Sequence, residues 1–168
     1  MRYVNGRYEE TIELCRHTID MEADFAAPHR LLAAATLQLG DAEGSVRYLD
    51  SNRSIHQDPT TRAWLAHAAA VQGDRARAMQ ILGELDAMSH ARYISAYHRA
   101  LGWTGLGDFD AAFALLCQAC EERDPSLMHL ASEPRFAVLR SDTRYATLAA
   151  RIGLPGAPAL NGARSQHV

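Results

Sequence analysis

The spacing of four glycines is the feature that most constrains how this chain can fold. Gly6 and Gly40 lie 34 residues apart, Gly40 and Gly73 lie 33 apart, and Gly73 and Gly107 lie 34 apart. A constant interval of this length is typical of stacked repeat units. A chain of 168 residues has room for a short array of such units.

Small and apolar positions recur in step with the glycines. The repeated positions are Ala33, Ala66 and Ala100 seven residues before a glycine, Asp41, Asp74 and Asp108 directly after one, the small residues Thr11, Ser45, Ala78 and Ala112 five after, and the apolar Cys15, Leu49, Leu82 and Leu116 nine after. A glycine can end a helix in the left-handed conformation, and an aspartate after it can cap the next helix. The pattern therefore predicts helix–turn–helix units whose backbones approach closely at the small residues.

Composition supports helices and narrows the classes of partner. Alanine is abundant and aromatic residues are only 7%, which favours helices over strands. The net charge is −3, from 17 Lys and Arg against 20 Asp and Glu, without a run of like charges, so we expect no nucleic-acid partner. The longest alanine-rich run is too short to span a membrane. We therefore expect a cytoplasmic protein with no membrane partner.

The fourth unit, "YISAYHRALGWTGLGDFDAAFALLCQACEERDP", resembles the tetratricopeptide repeat (TPR) family. It has that family's small and bulky positions, its turn glycine and its closing proline. The resemblance implies an all-α fold, a right-handed α-α superhelix of TPR-like helical hairpins with a helical C-terminal cap. We expect an array over residues 1–152, with units at about 1–25 (partial), 26–58, 59–89 and 91–125 and a cap at 126–152.

The segment "SEPRFAVLRSDTRYATLAARIGLP" carries a second resemblance. Its Pro134-Arg135-Phe136 recurs nine residues later as Thr143-Arg144-Tyr145. It looks like the closing segment that follows TPR arrays in bacterial signalling proteins such as nucleotide cyclases, Ser/Thr kinases and winged-helix regulators. A solenoid end is apolar inside and polar outside. We expect the arginines to face water while the last repeat is covered by Phe136, Leu139, Tyr145, Leu148 and Ile152. A docking surface is the alternative.

Both ends of the chain differ from the complete repeat units. Residues 153–168 are rich in Gly, Pro and Ala, and we expect a disordered tail.

Residues 7–22 are predicted to form the second helix of a unit without its first helix, as in a fragment or a shortened array. An apolar stripe on this helix would then be uncovered and could contact a second copy of the chain in a homodimer. The stripe consists of Tyr8, Ile12, Cys15 and Ile19.

The Cys117-x-x-Cys120 motif raises the question of redox or metal chemistry. Both cysteines fall in the last turns of a predicted helix, where the dipole disfavours a thiolate. Residues three apart on a helix have Cβ atoms about 5 to 6 Å apart, wider than a disulfide prefers. A structural zinc site needs four ligands. We expect helix packing, with Cys120 half-buried and Cys117 nearer the surface, and keep redox or metal chemistry as the alternative.

The predicted partner surface is the stripe formed by the first helix of each unit. Its polar or aromatic features are Arg30, Gln38, His67 and Tyr97. Family members that grip a chaperone's C-terminal carboxylate carry a Lys/Asn/Arg cluster here, which this sequence lacks. For Tyr97 and His67 the alternative is packing between helices, and for Arg30 it is a solvated side chain.

These patterns favour a non-enzymatic interaction module that presents a TPR groove to a peptide or protein partner. We find no catalytic residue pattern in the sequence, and we predict no cofactor or metal. The alternative is a regulatory or dimerisation fragment of a bacterial signalling protein, such as a cyclase, a Ser/Thr kinase or a transcription regulator, without its effector domain.

Overall fold

The computed structural model describes residues 2–52 and 55–154, and every regular element in these ranges is helical. The α-helices are α1 (Tyr8–Met21), α2 (Ala26–Gln38), α3 (Ala42–Ser51), α4 (Pro59–Gln72), α5 (Arg75–Ser89), α6 (Ala96–Gly105), α7 (Phe109–Glu121) and α8 (Thr143–Arg151). The 3-10 helices are η1 (Tyr3–Asn5), η2 (Pro125–His129) and η3 (Pro134–Ser141). No helix in the described ranges has both the length and the apolar character needed to cross a membrane.

The four repeat glycines mark the turns, as predicted. Gly40, Gly73 and Gly107 separate the helices of the hairpins α2–α3, α4–α5 and α6–α7, and Gly6 separates η1 from α1. All four have a positive φ, of 91°, 98°, 74° and 75° respectively. This conformation suits glycine because it has no Cβ to clash with the backbone. The glycine in each unit therefore determines where its turn lies.

The predicted aspartate caps are also confirmed. The Asp41 carboxylate accepts a hydrogen bond from the backbone N–H of Gly44 at 2.7 Å. Asp74 accepts one from Arg77 N at 3.0 Å, and Asp108 accepts one from Ala111 N at 3.1 Å. Each bond satisfies an N–H that would otherwise lack a partner in the first turn of α3, α5 or α7.

The repeated small and apolar positions form the helix contacts. All of them are buried, and the three alanines before the glycines have no exposed surface: Ala33, Ala66 and Ala100. Consecutive helices pack on one another, and α4 also contacts α2 and α6 directly. Packing is so close that a Cβ added to Gly102 of α6 would lie 2.6 Å from Leu82 Cδ2 of α5. Trp64 of α4 contacts all three clusters of the apolar core.

A nine-residue motif builds the C-terminal cap, and it occurs three times. Asp124, Glu133 and Asp142 each precede a helix, and each side chain accepts a hydrogen bond from the backbone N–H two residues later, at 2.8, 3.1 and 2.9 Å. The sequence repeat Pro134-Arg135-Phe136 and Thr143-Arg144-Tyr145 predicts only the second and third copies. The buried apolar residues of the motif are Leu127, Leu130, Phe136, Leu139 and Leu148, and they cover the α6–α7 hairpin.

The expectations for the cap residues are confirmed except at one arginine. Phe136, Leu139 and Leu148 are buried, and Tyr145 and Ile152 are half-buried. The prediction that the arginines face water is wrong for Arg135, which is only 5% exposed. It is buried because Glu133 and the Trp64 ring lie against its guanidinium.

The first residues of the predicted tail belong to the cap. Gly153 closes α8 at a φ of 69°, and Leu154 N donates to the Ala149 carbonyl at 2.9 Å. Leu154 also packs on the apolar cluster of the cap. The rest of the predicted tail, 155–168, lies outside the described residues.

Candidate functional site

A cavity of about 560 Å³ opens among the first turns of α2, α4 and α6. The segment before α1, α1 itself and the cap complete its wall, so that six parts of the chain surround one space. Its lining includes Tyr3, Arg30, Trp64, Tyr97, His98 and Glu133. The wall is mostly apolar and aromatic, with a few polar groups, as in sites that bind ligands.

The N-terminal segment and the cap meet at this cavity. The Tyr3 hydroxyl donates a hydrogen bond to Glu133 Oε1 at 3.1 Å, although the residues are 130 positions apart. Both residues are buried, and burial raises the pKa of the Tyr3 phenol well above its usual value, so it remains a donor. The bond joins the N-terminal segment to the cap and closes the wall into a ring.

A buried ion pair lies behind the wall. Arg135 donates to both oxygens of Glu133, with Nε–Oε1 at 2.8 Å and Nη2–Oε2 at 3.0 Å. Its guanidinium carbon lies 3.7 Å from the centre of the Trp64 ring, a cation–π contact. Burial alone would raise the pKa of Glu133, but Arg135 and the hydrogen bonds lower it to about 2. The carboxylate is therefore ionised and fully paired at neutral pH.

The guanidinium of Arg30, which lines the cavity, is also paired. Arg30 Nη1 lies 3.0 Å from Asp58 Oδ2, which also caps α4 by accepting from Thr61 N. Burial lowers the pKa of Arg30, and Asp58 offsets part of that effect. Because the positive charges of Arg30 and Arg135 are both balanced by carboxylates, neither is left to attract an anion.

Three aromatic residues of the wall carry polar atoms without a partner. Trp64 Nε1, the Tyr97 hydroxyl and His98 Nδ1 are buried and make no hydrogen bond within the described residues. Burial, with the charge of Arg135, lowers the pKa of His98 to about 4, so its ring is neutral at neutral pH. Buried polar atoms are rarely left unpaired in proteins. These three atoms have almost no accessible surface, so they lie beneath the surface of the cavity wall.

The cavity contains two of the four residues predicted for the partner surface. Arg30 and Tyr97 line it, although Tyr97 is only 3% exposed. His67 is buried between α4 and α6, where its Nδ1 lies 2.8 Å from the Leu101 carbonyl. Gln38 is half-buried near the opposite end of α2 and does not line the cavity. The predicted stripe is thus divided between the cavity, the helix interface and the far end of the array.

The predicted N-terminal stripe packs largely against the chain itself. Tyr8 and Ile12 pack on the cluster formed by Tyr3, Ala34 and Ala35. Cys15 is buried and lines the cavity, and Ile19 is half-buried. The segment at residues 3–5 therefore covers part of the surface that the sequence analysis expected to be open.

Sequence reasoning missed the residues that give the cavity its character. Leu31, Trp64 and His98 stand nine residues before Gly40, Gly73 and Gly107, and all three line the cavity. This spacing was visible in the sequence, but leucine, tryptophan and histidine share no chemistry that would have marked the position. Tyr3 meets Glu133 through the tertiary fold alone.

The cysteines lie as the packing interpretation predicted. Cys117 is exposed, Cys120 is partly buried and Cys15 is buried, and all three are free. Among residues 2–52 and 55–154, no three His, Cys, Asp or Glu side chains are grouped so that they could hold a metal ion.

Comparison with family models, with curated proteins and with solved structures yields no significant match for this chain.

Proposed function

We propose that this chain is a non-enzymatic binding module of the tetratricopeptide type, which holds a segment of a partner protein across the first turns of α2, α4 and α6. The observation that carries the proposal is the preformed cavity among these turns, lined by the predicted residues Arg30 and Tyr97. A cavity that exists before binding lowers the cost of ordering the site. In this proposal the hairpins are stacked as a right-handed superhelix and the partner segment inserts an anchor side chain into the cavity.

The charges at the cavity favour binding over acid–base catalysis. A general base works best when its pKa is close to the working pH. Glu133 has a pKa of about 2 and gives its oxygens to Arg135 and Tyr3. Its position suits a structural bond between the N-terminal segment and the cap.

A pair of alanines allows a matched test of where the partner segment binds. Ala27 is an exposed residue in the first turn of α2 that lines the cavity, and Ala76 is an exposed residue in the first turn of α5 that does not. Random peptides displayed on phage would be selected on the wild-type protein, and their affinity measured by fluorescence polarisation. We expect Ala27→Trp to weaken binding by about tenfold or more and Ala76→Trp to leave it unchanged.

Two results would contradict this proposal. If no peptide is enriched over repeated rounds, the chain does not present a peptide site. If the selected peptides bind Ala27→Trp as tightly as the wild type, they bind elsewhere, and the cavity is not the anchor site. Circular dichroism spectra of both variants would show that each is folded.

The second candidate is a regulatory or dimerisation fragment of a signalling protein. It is favoured by two exposed apolar side chains on α1: Leu14 and Met21 are 51% and 66% exposed, and they lie seven residues apart on one helix face. A dimer would use this face beside the covered stripe. Sedimentation equilibrium tests the idea, since a single-chain mass at high concentration would contradict it, whereas a dimer that Met21→Glu dissociates would support it.

A further inference from the structure

The charges around the cavity do not cancel, and the residue that makes the difference is Arg2. Among the described residues that line the cavity, the charged side chains besides histidine are Arg2, Arg30 and Glu133. Arg30 is paired with Asp58. Glu133 is paired with Arg135, so both of these pairs are neutral. The remaining cation, Arg2, therefore decides which charge the cavity favours in a bound group.

Arg2 shares its counter-charge, the carboxylate of Glu10, with a second arginine. Arg7 donates to both oxygens of Glu10, each at 2.5 Å, whereas Arg2 Nε lies 3.4 Å from Oε2. A guanidinium carries five N–H donors, and that of Arg2 makes no hydrogen bond within the described part of the chain. Two positive charges thus face one carboxylate, which leaves one positive charge in surplus beside the cavity.

The fold fixes the position of Arg2 at the cavity. Its backbone carbonyl accepts hydrogen bonds from Asn5 N at 3.2 Å and from Arg7 N at 3.1 Å. The next residue, Tyr3, is bonded to Glu133 of the cap. Arg2 lines the cavity, and its side chain is 48% exposed. Because this charge keeps much of its contact with water, pairing it with a bound group costs little desolvation.

Most of the remaining wall is apolar. Its apolar side chains include Val4, Leu14, Ala27, Leu31 and Trp64. Leu14 is 51% exposed, so a bound apolar group that covers it gains from the hydrophobic effect. The surface therefore combines an apolar wall with a positive charge, and it fits a segment that offers an apolar side chain and a negative charge close to it.

We propose that the partner segment carries an acidic residue beside its apolar anchor, and that the carboxylate of this residue pairs with Arg2. This rests on the proposed function and names the chemistry of the partner: an Asp or Glu side chain within a few residues of an aliphatic or aromatic one. A basic residue in that place would meet the surplus positive charge. Electrostatic complementarity of this kind determines specificity and the rate of association.

The phage-selected peptides that Ala27→Trp weakens are the probes, because these peptides bind at the cavity. We expect them to be enriched in Asp or Glu beside an apolar residue. Replacing that acid by its amide should weaken binding about fivefold at low salt, measured by fluorescence polarisation. The difference should shrink as the salt concentration rises, because salt screens an exposed ion pair.

Variants of the protein test whether Arg2 is the cation. Arg2→Gln should weaken the acidic peptides about fivefold, and Arg2→Lys should keep their affinity because the charge remains. Arg47→Gln is the charge-matched control, since Arg47 is an exposed arginine of α3 that does not line the cavity, and it should change affinity little. Glu10→Gln removes the competing carboxylate and should strengthen binding about twofold, whereas Glu43→Gln should not. Thermal unfolding would show that each variant folds.

Four outcomes would overturn the inference. They are selected peptides without an acid near the anchor, an amide replacement that leaves the affinity unchanged, equal effects of Arg2→Gln and Arg47→Gln, and a loss in Arg2→Gln that Arg2→Lys shares. The last would mean that Arg2 holds the segment before α1 in place and does not act through its charge. In each case, peptides that Ala27→Trp still weakens would support the proposed function, so the two proposals can fail separately. If no peptide is enriched, both fail.

Discussion

Tyr3 and Tyr97 are both buried at the cavity, but only one of their hydroxyls has a partner. The Tyr3 hydroxyl donates to Glu133, and the Tyr97 hydroxyl has no hydrogen bond within the described residues. Removing an unpaired buried hydroxyl relieves a desolvation penalty, whereas removing a paired one leaves the partner unsatisfied. We therefore expect Tyr97→Phe to raise the free energy of unfolding by about 1 kcal/mol, and Tyr3→Phe to lower it by about 1 to 2 kcal/mol.

Urea unfolding of the two variants beside the wild type measures this difference. The pair is matched because both tyrosines are at most 5% exposed and both substitutions keep the ring. If Tyr97→Phe destabilises the protein as much as Tyr3→Phe, then the Tyr97 hydroxyl does make a bond, which bound water would supply.

Two buried histidines make stability depend on pH. Burial and the charge of Arg135 lower the pKa of His67 and of His98 from 6.5 to about 4. Other charges near them are Glu133 for His67, and Asp124, Arg30 and Asp58 for His98. As pH falls from about 6.5 towards 4, the unfolded chain takes up protons that the folded chain does not. The stability due to these groups is complete above 6.5 and is lost over this window.

We expect the free energy of unfolding to fall between about pH 6.5 and pH 4 by at most about 1.4 kcal/mol per pH unit for each histidine. Urea unfolding at several pH values measures the slope. His67→Gln has no titrating group but keeps a donor for the Leu101 carbonyl, so its slope should be about half that of the wild type. Equal slopes in the two proteins would mean that His67 does not contribute.

At the scale of the helix hairpin, Gly73 and Gly83 test the role of the turn. Gly73 ends α4 at a φ of 98°, and Gly83 lies in the middle of α5. A Cβ at either position would meet nothing within 4 Å, so a clash cannot account for any difference. Gly73→Ala should lower the free energy of unfolding by about 1 to 2 kcal/mol, because alanine is strained at positive φ. Gly83→Ala should raise it by about 1 kcal/mol, because alanine favours the helix.

Thermal and urea unfolding of both glycine variants tests the interpretation of the repeat. A stabilised Gly73→Ala would show that the turn does not require the left-handed conformation. A destabilised Gly83→Ala would mean that mid-helix glycine has a packing role in α5.

Each hairpin could be predicted from sequence because its determinants are close together in the chain. Gly40 and Asp41 end one helix and begin the next by bonds within a few residues. The buried columns at Ala66 and Leu82 follow from the same interval on either side of Gly73. Such local rules repeat in every unit, so a single sequence is enough to reveal them.

The cavity could be predicted only in part because its contacts join distant segments. Arg135 and Arg144 occupy equivalent places in the nine-residue motif, and each has an acid two residues before it. Arg135 is buried against Trp64, whereas Arg144 is exposed and lies over Phe113. Both arginines follow the same local pattern, with an acid two residues before and an aromatic residue after, so the surface opposite decides the burial. Arg30 and Tyr97 could be predicted, because helical spacing alone places them on the side of α2 and α6 that lines the cavity.

At the scale of the molecule, the closed ring distinguishes this chain from an open stack of repeats. In an open stack each unit contacts only its neighbours, and stability is roughly a sum of local contributions. Here Tyr3 and Glu133 join the first described element to the cap, with α2, α4 and α6 between them. Loosening one end should therefore loosen the other.

Hydrogen exchange of a Tyr3→Ala variant tests this coupling. Removing the ring and its hydroxyl exposes the Glu133 carboxylate to water and uncovers the first turns of the cap. We expect faster exchange at residues 3–21 and, together with them, at residues 125–141, while α3 and α5 keep their protection. Tyr145→Ala is the matched control, since this half-buried tyrosine lies in the cap and its hydroxyl bonds the Leu130 carbonyl. It should speed exchange in the cap alone. Faster exchange confined to residues 3–21 in Tyr3→Ala would show that the units behave as independent neighbours and that closure does not hold the cavity in shape.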